Sequence, residues 1–301
     1  MILEKGLISV LPVANQKSNW PWTIESDYAL YKSDWKYPKI SVIVPSYNQG
    51  KFLEETLRSI ILQNYPNFEI IIIDGGSTDD TIDVIKKYEP WIYYWVSEKD
   101  GGQSDAINKG IKKVTGEFLG WQNSDDIYSV NAFYHFAETY NKNPGNDVYF
   151  GNMLTIDQNS KPLNLHRYAP FSFNEIKFSG WNITNQACFF SRNLFDHIKI
   201  KKEFRYVMDG ALFFDIASRT NKFVHIKQVL GCFRLHEEAK SSTINMSTGW
   251  DEWVKLRSEF GIVMKPDVPW NKQFVWWKLW FKIRKGLYYL PEILSLKKDQ
   301  K

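Results

Sequence analysis

The chain of 301 residues has only two cysteines, Cys188 and Cys232, too few for a disulfide framework and without metal-site spacing. Both read as buried packing residues in a protein of a reducing compartment. Long apolar runs are also missing: no segment supplies the roughly 18 to 20 uninterrupted apolar residues of a membrane-spanning helix. The apolar part of the opening stretch Met1 to Pro12 is too short and too early interrupted for a signal peptide. A cytoplasmic place, or one on the cytoplasmic face of a membrane, is therefore expected. The sequence contains no internal repeat and no low-complexity tract. It lacks Gly-x-x-x-x-Gly-Lys-Ser/Thr, which argues against a P-loop nucleotide triphosphatase, and its first strand does not run into Gly-x-Gly-x-x-Gly, which argues against a dinucleotide-dependent dehydrogenase.

Aromatic residues are plentiful: 13 Trp, 16 Tyr and 20 Phe, in a chain that is 44% hydrophobic and 24% charged. That profile is of a globular protein, with aromatics available for cores, interfaces or sugar stacking. The net charge of +4 is uneven. From Trp270 onward there are eight Lys or Arg and two acids, so the remainder carries a net −2. A nucleic-acid binder with a broad basic face is not expected. An anionic partner of the C-terminal segment is.

Residues 1–37 read as an extension without helical or strand periodicity, draped over the domain. From Pro38 the pattern changes. The apolar run Ile40 to Val44 precedes a helical stretch with Leu53, Leu57, Ile60 and Ile61 on one face. Ile70 to Asp74 precedes a helix with Ile82, Ile85 and Tyr88, for which Ser77 and Thr78 are cap candidates. Trp91 to Val96 precedes a helix with Ile107, Ile111 and Val114, and Glu117 to Trp121 forms a fourth strand. Apolar strands alternating with amphipathic helices predict a mostly parallel α/β sheet covered on both faces, with ligands at the carboxyl ends of its strands. All the polar clusters fall there: Pro45-Ser46-Tyr47-Asn48, Asp74-Gly75-Gly76-Ser77, Glu98-Lys99-Asp100-Gly101-Gly102 and Asn123-Ser124-Asp125-Asp126. After Asp147 to Gly151 the alternation becomes irregular, and this half is expected to extend the same sheet on the acceptor side.

The ordered set Ser41 to Asn48, Ile73 to Asp79, Gly102 to Gly110 and Trp121 to Asp126 resembles the family 2 glycosyltransferases of GT-A fold, over roughly residues 38 to 240. The resemblance implies domains at 1–37 (extension), 38–240 (catalytic) and 241–301 (helical, basic and aromatic). It implies nucleotide-sugar contacts at Pro45, Tyr47, Asn48, Asp74, Asp100, Asn123 and Ser124. Asp74 would accept the imide N–H of uracil, against a helix-cap alternative, with Pro45 and Tyr47 as apolar walls. Asp100 would meet uridine or ribose, against a structural turn. Asn108 reads as structural, and Lys109 stays open. Asn123-Ser124-Asp125 stands where the family has Asp-x-Asp, with Asn at its head. Mn²⁺ or Mg²⁺ would then rest on Asp125, with Asp126 as ligand or orienter and His236 as a further ligand or phosphate donor, against a structural histidine.

Downstream, Asp209 matches the family's catalytic base, with Met208 in place of the usual preceding Glu; a capping role is the alternative. Arg234 would pair with phosphate oxygens, and Ser241-Ser242-Thr243 matches a flexible loop near the diphosphate. Asn185, Gln186 and Arg192 fall in an acceptor-side segment. The implied function is an inverting, metal-dependent transfer from a nucleotide sugar, most simply a UDP-sugar, to a saccharide or lipid-linked saccharide acceptor in cell-surface polysaccharide synthesis. A catalytically silent sugar-nucleotide-binding subunit is the rival. From Trp270 to Leu290, Lys278, Lys282 and Lys285 take one side of a helix, with Trp276, Trp277, Trp280 and Ile283 mostly opposite. That pattern fits a helix on an anionic membrane surface or one packed by its Trp face onto the domain.

Overall fold

The computed structural model describes residues 5–13, 17–179, 182–237, 239, 246–265, 268 and 272–298. Ser241, Ser242 and Thr243 lie outside the described residues. Four β-α pairs open the domain: β1 (Ile40–Ser46), α1 (Gly50–Ile61), β2 (Phe68–Asp74), α2 (Thr81–Tyr88), β3 (Tyr94–Ser97), α3 (Gln103–Ile111), β4 (Phe118–Trp121) and, after the short β5 (Ile127–Tyr128), α4 (Ala132–Lys142). β1, β2, β3 and β4 are parallel, in the order β3-β2-β1-β4. Neighbouring residues of β1 point to opposite faces, and both faces are covered. Val42 and Val44 join Leu53, Leu57 and Phe133 under α1 and α4, while Ile43 joins Leu119, Trp121 and Phe190 on the other side. This double burial is why the strands read as unbroken apolar runs.

The second half continues the same sheet. β6 (Val148–Ile156), β7 (Pro162–His166), α5 (Phe173–Phe178), β8 (Cys188–Ser191), α6 (Met208–Ala217) and β9 (Phe223–Arg234) complete a nine-stranded sheet ordered β3-β2-β1-β4-β8-β6-β9-β5, with β7 beside β6. β8 is antiparallel to both β4 and β6, so it interrupts the parallel run of β3, β2, β1 and β4, while β6 and β9 pair in parallel again beyond it. Cys188 and Cys232 are buried free thiols, as expected.

The segment before β1 is tied down from below. Arg58 on α1 is almost fully buried and donates to the carbonyls of Pro12, Pro21 and Trp22 at 2.9–3.1 Å. Two further helices, α7 (Met246–Glu259) and α8 (Val275–Lys298), follow the sheet. Leu256 of α7 enters the core under α6. Among the described residues no helix is long and apolar enough to cross a membrane.

Candidate active site

The parallel strands deliver their polar loops to one edge, and most of those polar side chains are engaged with each other. Asp74, at the end of β2, is fully buried. Its carboxylate accepts from the backbone N–H of Gly76 (3.1 Å) and Ser77 (2.9 Å) and from the hydroxyls of Ser77 (2.5 Å) and Ser97 (2.6 Å). Asn48 sits at φ 51, a conformation Asn tolerates. Its Oδ1 accepts from Thr78 N, and its own N–H donates to Ser77 Oγ. Asp74 and Asn48 therefore brace the loops after β1 and β2, and the Asp74 carboxylate, fully buried, engages its oxygens inside the protein instead of presenting them to a ligand. Ser77 and Thr78 serve this brace; helix α2 starts later, at Thr81.

Pro45 is buried within β1, whereas the ring of Tyr47 is 62% exposed. Tyr47 and Asp100 close on Gly75: a β-carbon there would lie 3.2–3.3 Å from both Asp100 carboxylate oxygens and the Tyr47 ring. Gly75 thus lets the Tyr47 ring and the half-buried Asp100 carboxylate approach the end of β2 more closely than a side chain there would allow. Gly102, at φ 94, ends the β3 loop in a conformation that favours glycine, and its N–H bonds Asp100 Oδ1 at 2.7 Å.

The loop after β4 splits its two acids. Asp126 is fully buried, with Oδ1 accepting from Arg234 N (2.8 Å) and Oδ2 from Asn123 Nδ2 and Gln186 Nε2 (both 2.9 Å). Burial, and then the neighbouring Asp125 charge, push its pKa upward. Asp126 is thereby removed as a metal ligand, because its oxygens point into the protein and are already bonded. Asn123 explains its departure from the family pattern: Oδ1 accepts from Gln103 Nε2 (2.7 Å) and Trp121 Nε1 (2.9 Å) while Nδ2 donates to Asp126. A carboxylate could accept those two bonds but could not make the third, and it would face Asp126 as a like charge. Ser124 is buried, its carbonyl accepting from Thr56 Oγ1.

Asp125 turns the other way and pairs with His236, Oδ2 to Nε2 3.0 Å. The imidazole lies on the Phe52 ring, centroids 4.6 Å apart. Two donors expected on sequence grounds to share a cation, far apart in the chain, are brought into contact. Among the described residues no three His, Cys, Asp or Glu side chains gather as a ready-made metal site. One carboxylate oxygen and one imidazole nitrogen are too few to hold Mn²⁺ or Mg²⁺ alone. They fit a cation whose remaining positions are filled by phosphate oxygens and water.

Arg234 is a correction. Its side chain is wholly buried, donates to the carbonyl of Asp125 (2.7 Å) and to Ser160 Oγ (2.8 Å), and pairs with Glu55 at 3.0 Å. Burial takes it away from any phosphate; it holds the Asp125 backbone instead. Arg234→Met should therefore lower stability by about 3–5 kcal/mol in urea unfolding, because Glu55 is left buried without its counter-charge. The donor KM of the folded variant should change little. An undiminished unfolding midpoint with a donor KM raised tenfold would restore the phosphate role.

Asp209 stands in the first turn of α6, half-buried, its Oδ1 accepting from Gly210 N at 2.8 Å. The start of α3 links it to the β4 loop: Gln103 bonds Asn123, and the next residue, Ser104, donates to Met208 Sδ at 3.4 Å. Sequence reasoning missed Glu252 on α7, whose carboxylate accepts the successive N–H groups of Arg205, Tyr206 and Val207 at 2.7–3.0 Å. It satisfies the donors just ahead of α6, where Val207 offers no side-chain cap. Nothing in the local sequence marks it. Gln103 and Gln186 were legible in their motifs but not as braces of Asn123 and Asp126. Asn108 is structural, bonding both backbone groups of Ile200, and Lys109 pairs with Glu98. Arg192 lies at the opposite end of β4, with its backbone N–H on Glu117 O, and takes no part in the cleft.

A family model described as glycosyl transferase family 2 matches residues 41–199, more than half of the chain. An uncharacterised glycosyltransferase of Rickettsia typhi is 38% identical over 128 residues, which are 42% of this chain and 40% of that protein. The chain thus spans well under half the length of that relative. Among solved structures, Staphylococcus aureus TarS 1-349 in complex with UDP-GlcNAc superposes with a TM-score of 0.59 at 20% identity, over 73% of this chain and 66% of that one. The mannosyltransferase PcManGT of Pyrobaculum calidifontis, in complex with GDP-Man and Mn²⁺, gives a TM-score of 0.54 at 17% identity, over 87% and 74%.

Proposed function

The chain belongs to glycosyl transferase family 2 and has the GT-A fold, and on that basis we propose an inverting transfer from a UDP-sugar to a saccharide or lipid-linked saccharide in cell-surface polysaccharide synthesis. The observation that carries the reading is the grouping at one sheet edge of Tyr47 and Asp100 beside Gly75, the Asp125–His236 pair and the start of α6 with Asp209.

In this reading the nucleobase lies against the exposed Tyr47 ring, with Asp100 accepting from the base or the ribose, and Asp74 and Asn48 hold the loops that carry these groups. The Asp209 carboxylate takes the proton of an acceptor hydroxyl. The hydroxyl oxygen then bonds to the anomeric carbon from the face opposite the leaving group, the carbon–oxygen bond to the diphosphate breaks, and the configuration inverts. Asp125 and His236 would hold Mn²⁺ or Mg²⁺, which when bound supplies neutralising charge for the departing diphosphate. Asn123, Gln103 and the buried Asp126 keep Asp125 turned toward the cleft. The UDP-GlcNAc complex of TarS supports a uridine donor, and the Mn²⁺ complex of PcManGT supports a cation.

A thermal-shift screen of nucleotides with Mn²⁺ tests the donor. UDP at a hundred times its Kd should add about 2.7 kcal/mol of stability, while GDP at the same concentration should add little. Stabilisation by GDP and not UDP would overturn the uridine assignment.

A further inference from the structure

Helix α8 is fixed to the domain by one face and displays another. On the inner face, Phe281 and Tyr289 are buried and Trp277 stacks on Phe178 at 5.2 Å. Tyr289 Oη donates to Asn152 Oδ1 (3.1 Å), Tyr288 Oη meets His225 Nδ1 (3.1 Å), and Arg284 pairs with Glu175 (3.4 Å). These contacts come from β6, β9 and α5, so the helix has little freedom to roll and bury its other side. That other side carries Trp276, Leu279, Trp280, Ile283, Leu287 and Leu290 at spacings of three and four, a single stripe along the helix. The stripe is open: Trp276 is 83% exposed, Leu287 61% and Trp280 54%.

We propose that this stripe is a docking face for an anionic lipid surface. A continuous apolar row of this size on a fixed helix calls for a partner. Its Trp content suits a membrane interface, where indole rings favour the headgroup level. The charge around it selects the occupant. Lys272 is exposed just before the helix, Lys282 is exposed on the flank of the stripe and Lys285 on the far side of the helix, and the chain from Trp270 onward holds eight basic residues against two acids. One of those acids, Glu292, is already paired with Lys227 at 2.6 Å. A second copy would set two net-basic segments against each other, whereas an anionic surface complements the net charge of this one. The sequence pattern left open whether the Trp face packs inward or outward; Trp277 stacks on Phe178 by one side while staying 41% exposed, and Trp276 and Trp280 face outward.

The test is flotation of the full chain with vesicles of phosphatidylcholine alone or mixed with phosphatidylglycerol. Binding is expected to the mixed vesicles and to fall as salt rises. The double variant Trp276→Ser, Trp280→Ser should lower the partition coefficient at least tenfold while nucleotide-induced thermal stabilisation stays as in the parent, a readout independent of the transfer reaction. Three results would overturn the proposal: no binding to the anionic vesicles, binding that the double variant leaves unchanged, or a parent dimer in sedimentation that the double variant dissolves.

Discussion

Asp209→Asn should lower kcat by about a hundredfold to ten-thousandfold, the usual worth of a positioned general base, with the donor KM close to the parent value. The amide keeps the shape of the side chain and can still accept from Gly210 N, so the start of α6 should hold. What it loses is the ability to take a proton. The competing role, a stabiliser of the helix start, predicts a different pattern: a lower melting temperature with turnover within a few-fold of the parent. The structure gives that competing role little to do. Glu252 already satisfies the three N–H groups ahead of the helix, and Asp209 accepts from Gly210 N beside it. Steady-state kinetics with saturating donor, alongside thermal unfolding of the same preparations, separates the two. A variant with near-parental kcat would remove Asp209 from the chemistry.

The order of elements from β1 to β4 was legible because burial on both faces forces each strand to be apolar throughout. Once strands are parallel, topology alone sends their carboxyl-end loops to one edge, so the position of the cleft was also legible. The roles of single polar residues were less so. Asp74, Asn48, Asn123, Asp126 and Arg234 have the chemistry of ligand contacts, and a sequence cannot say whether a carboxylate will meet a ligand or the N–H groups of its own loop. That choice depends on side-chain direction at a strand end, where one residue in two faces inward. Asp125 and Asp126 illustrate it: neighbours in sequence, one paired with His236 at the cleft, the other fully buried. The bracing by Glu252 and by Arg58 was invisible for a further reason. Both act on backbone groups of remote segments, and backbone groups leave no mark in residue identity.

Asp125→Ala should cost a hundredfold or more in kcat, on the scale of about 3 kcal/mol seen when one group facing a developing oxyanion is removed. The loss should come with a raised Mn²⁺ requirement. Because Asp125 Oδ2 and His236 Nε2 are 3.0 Å apart, the two side chains are expected to act as a unit. Removing both should then cost little more than removing Asp125, since contacting residues in one site do not contribute additively. Arg234 sharpens the test. It holds the Asp125 backbone carbonyl at 2.7 Å, so the loop should keep its course after the side chain is cut back, and the variant should unfold near the parent temperature. Measuring kcat across a Mn²⁺ titration for the two single variants and the double variant gives the coupling directly. Strictly multiplicative losses would mean that the pair is two independent groups. Turnover within threefold of the parent for Asp125→Ala would place the diphosphate elsewhere on the sheet edge, leaving the Asp125–His236 contact as a structural clasp between the β4 loop and the end of β9.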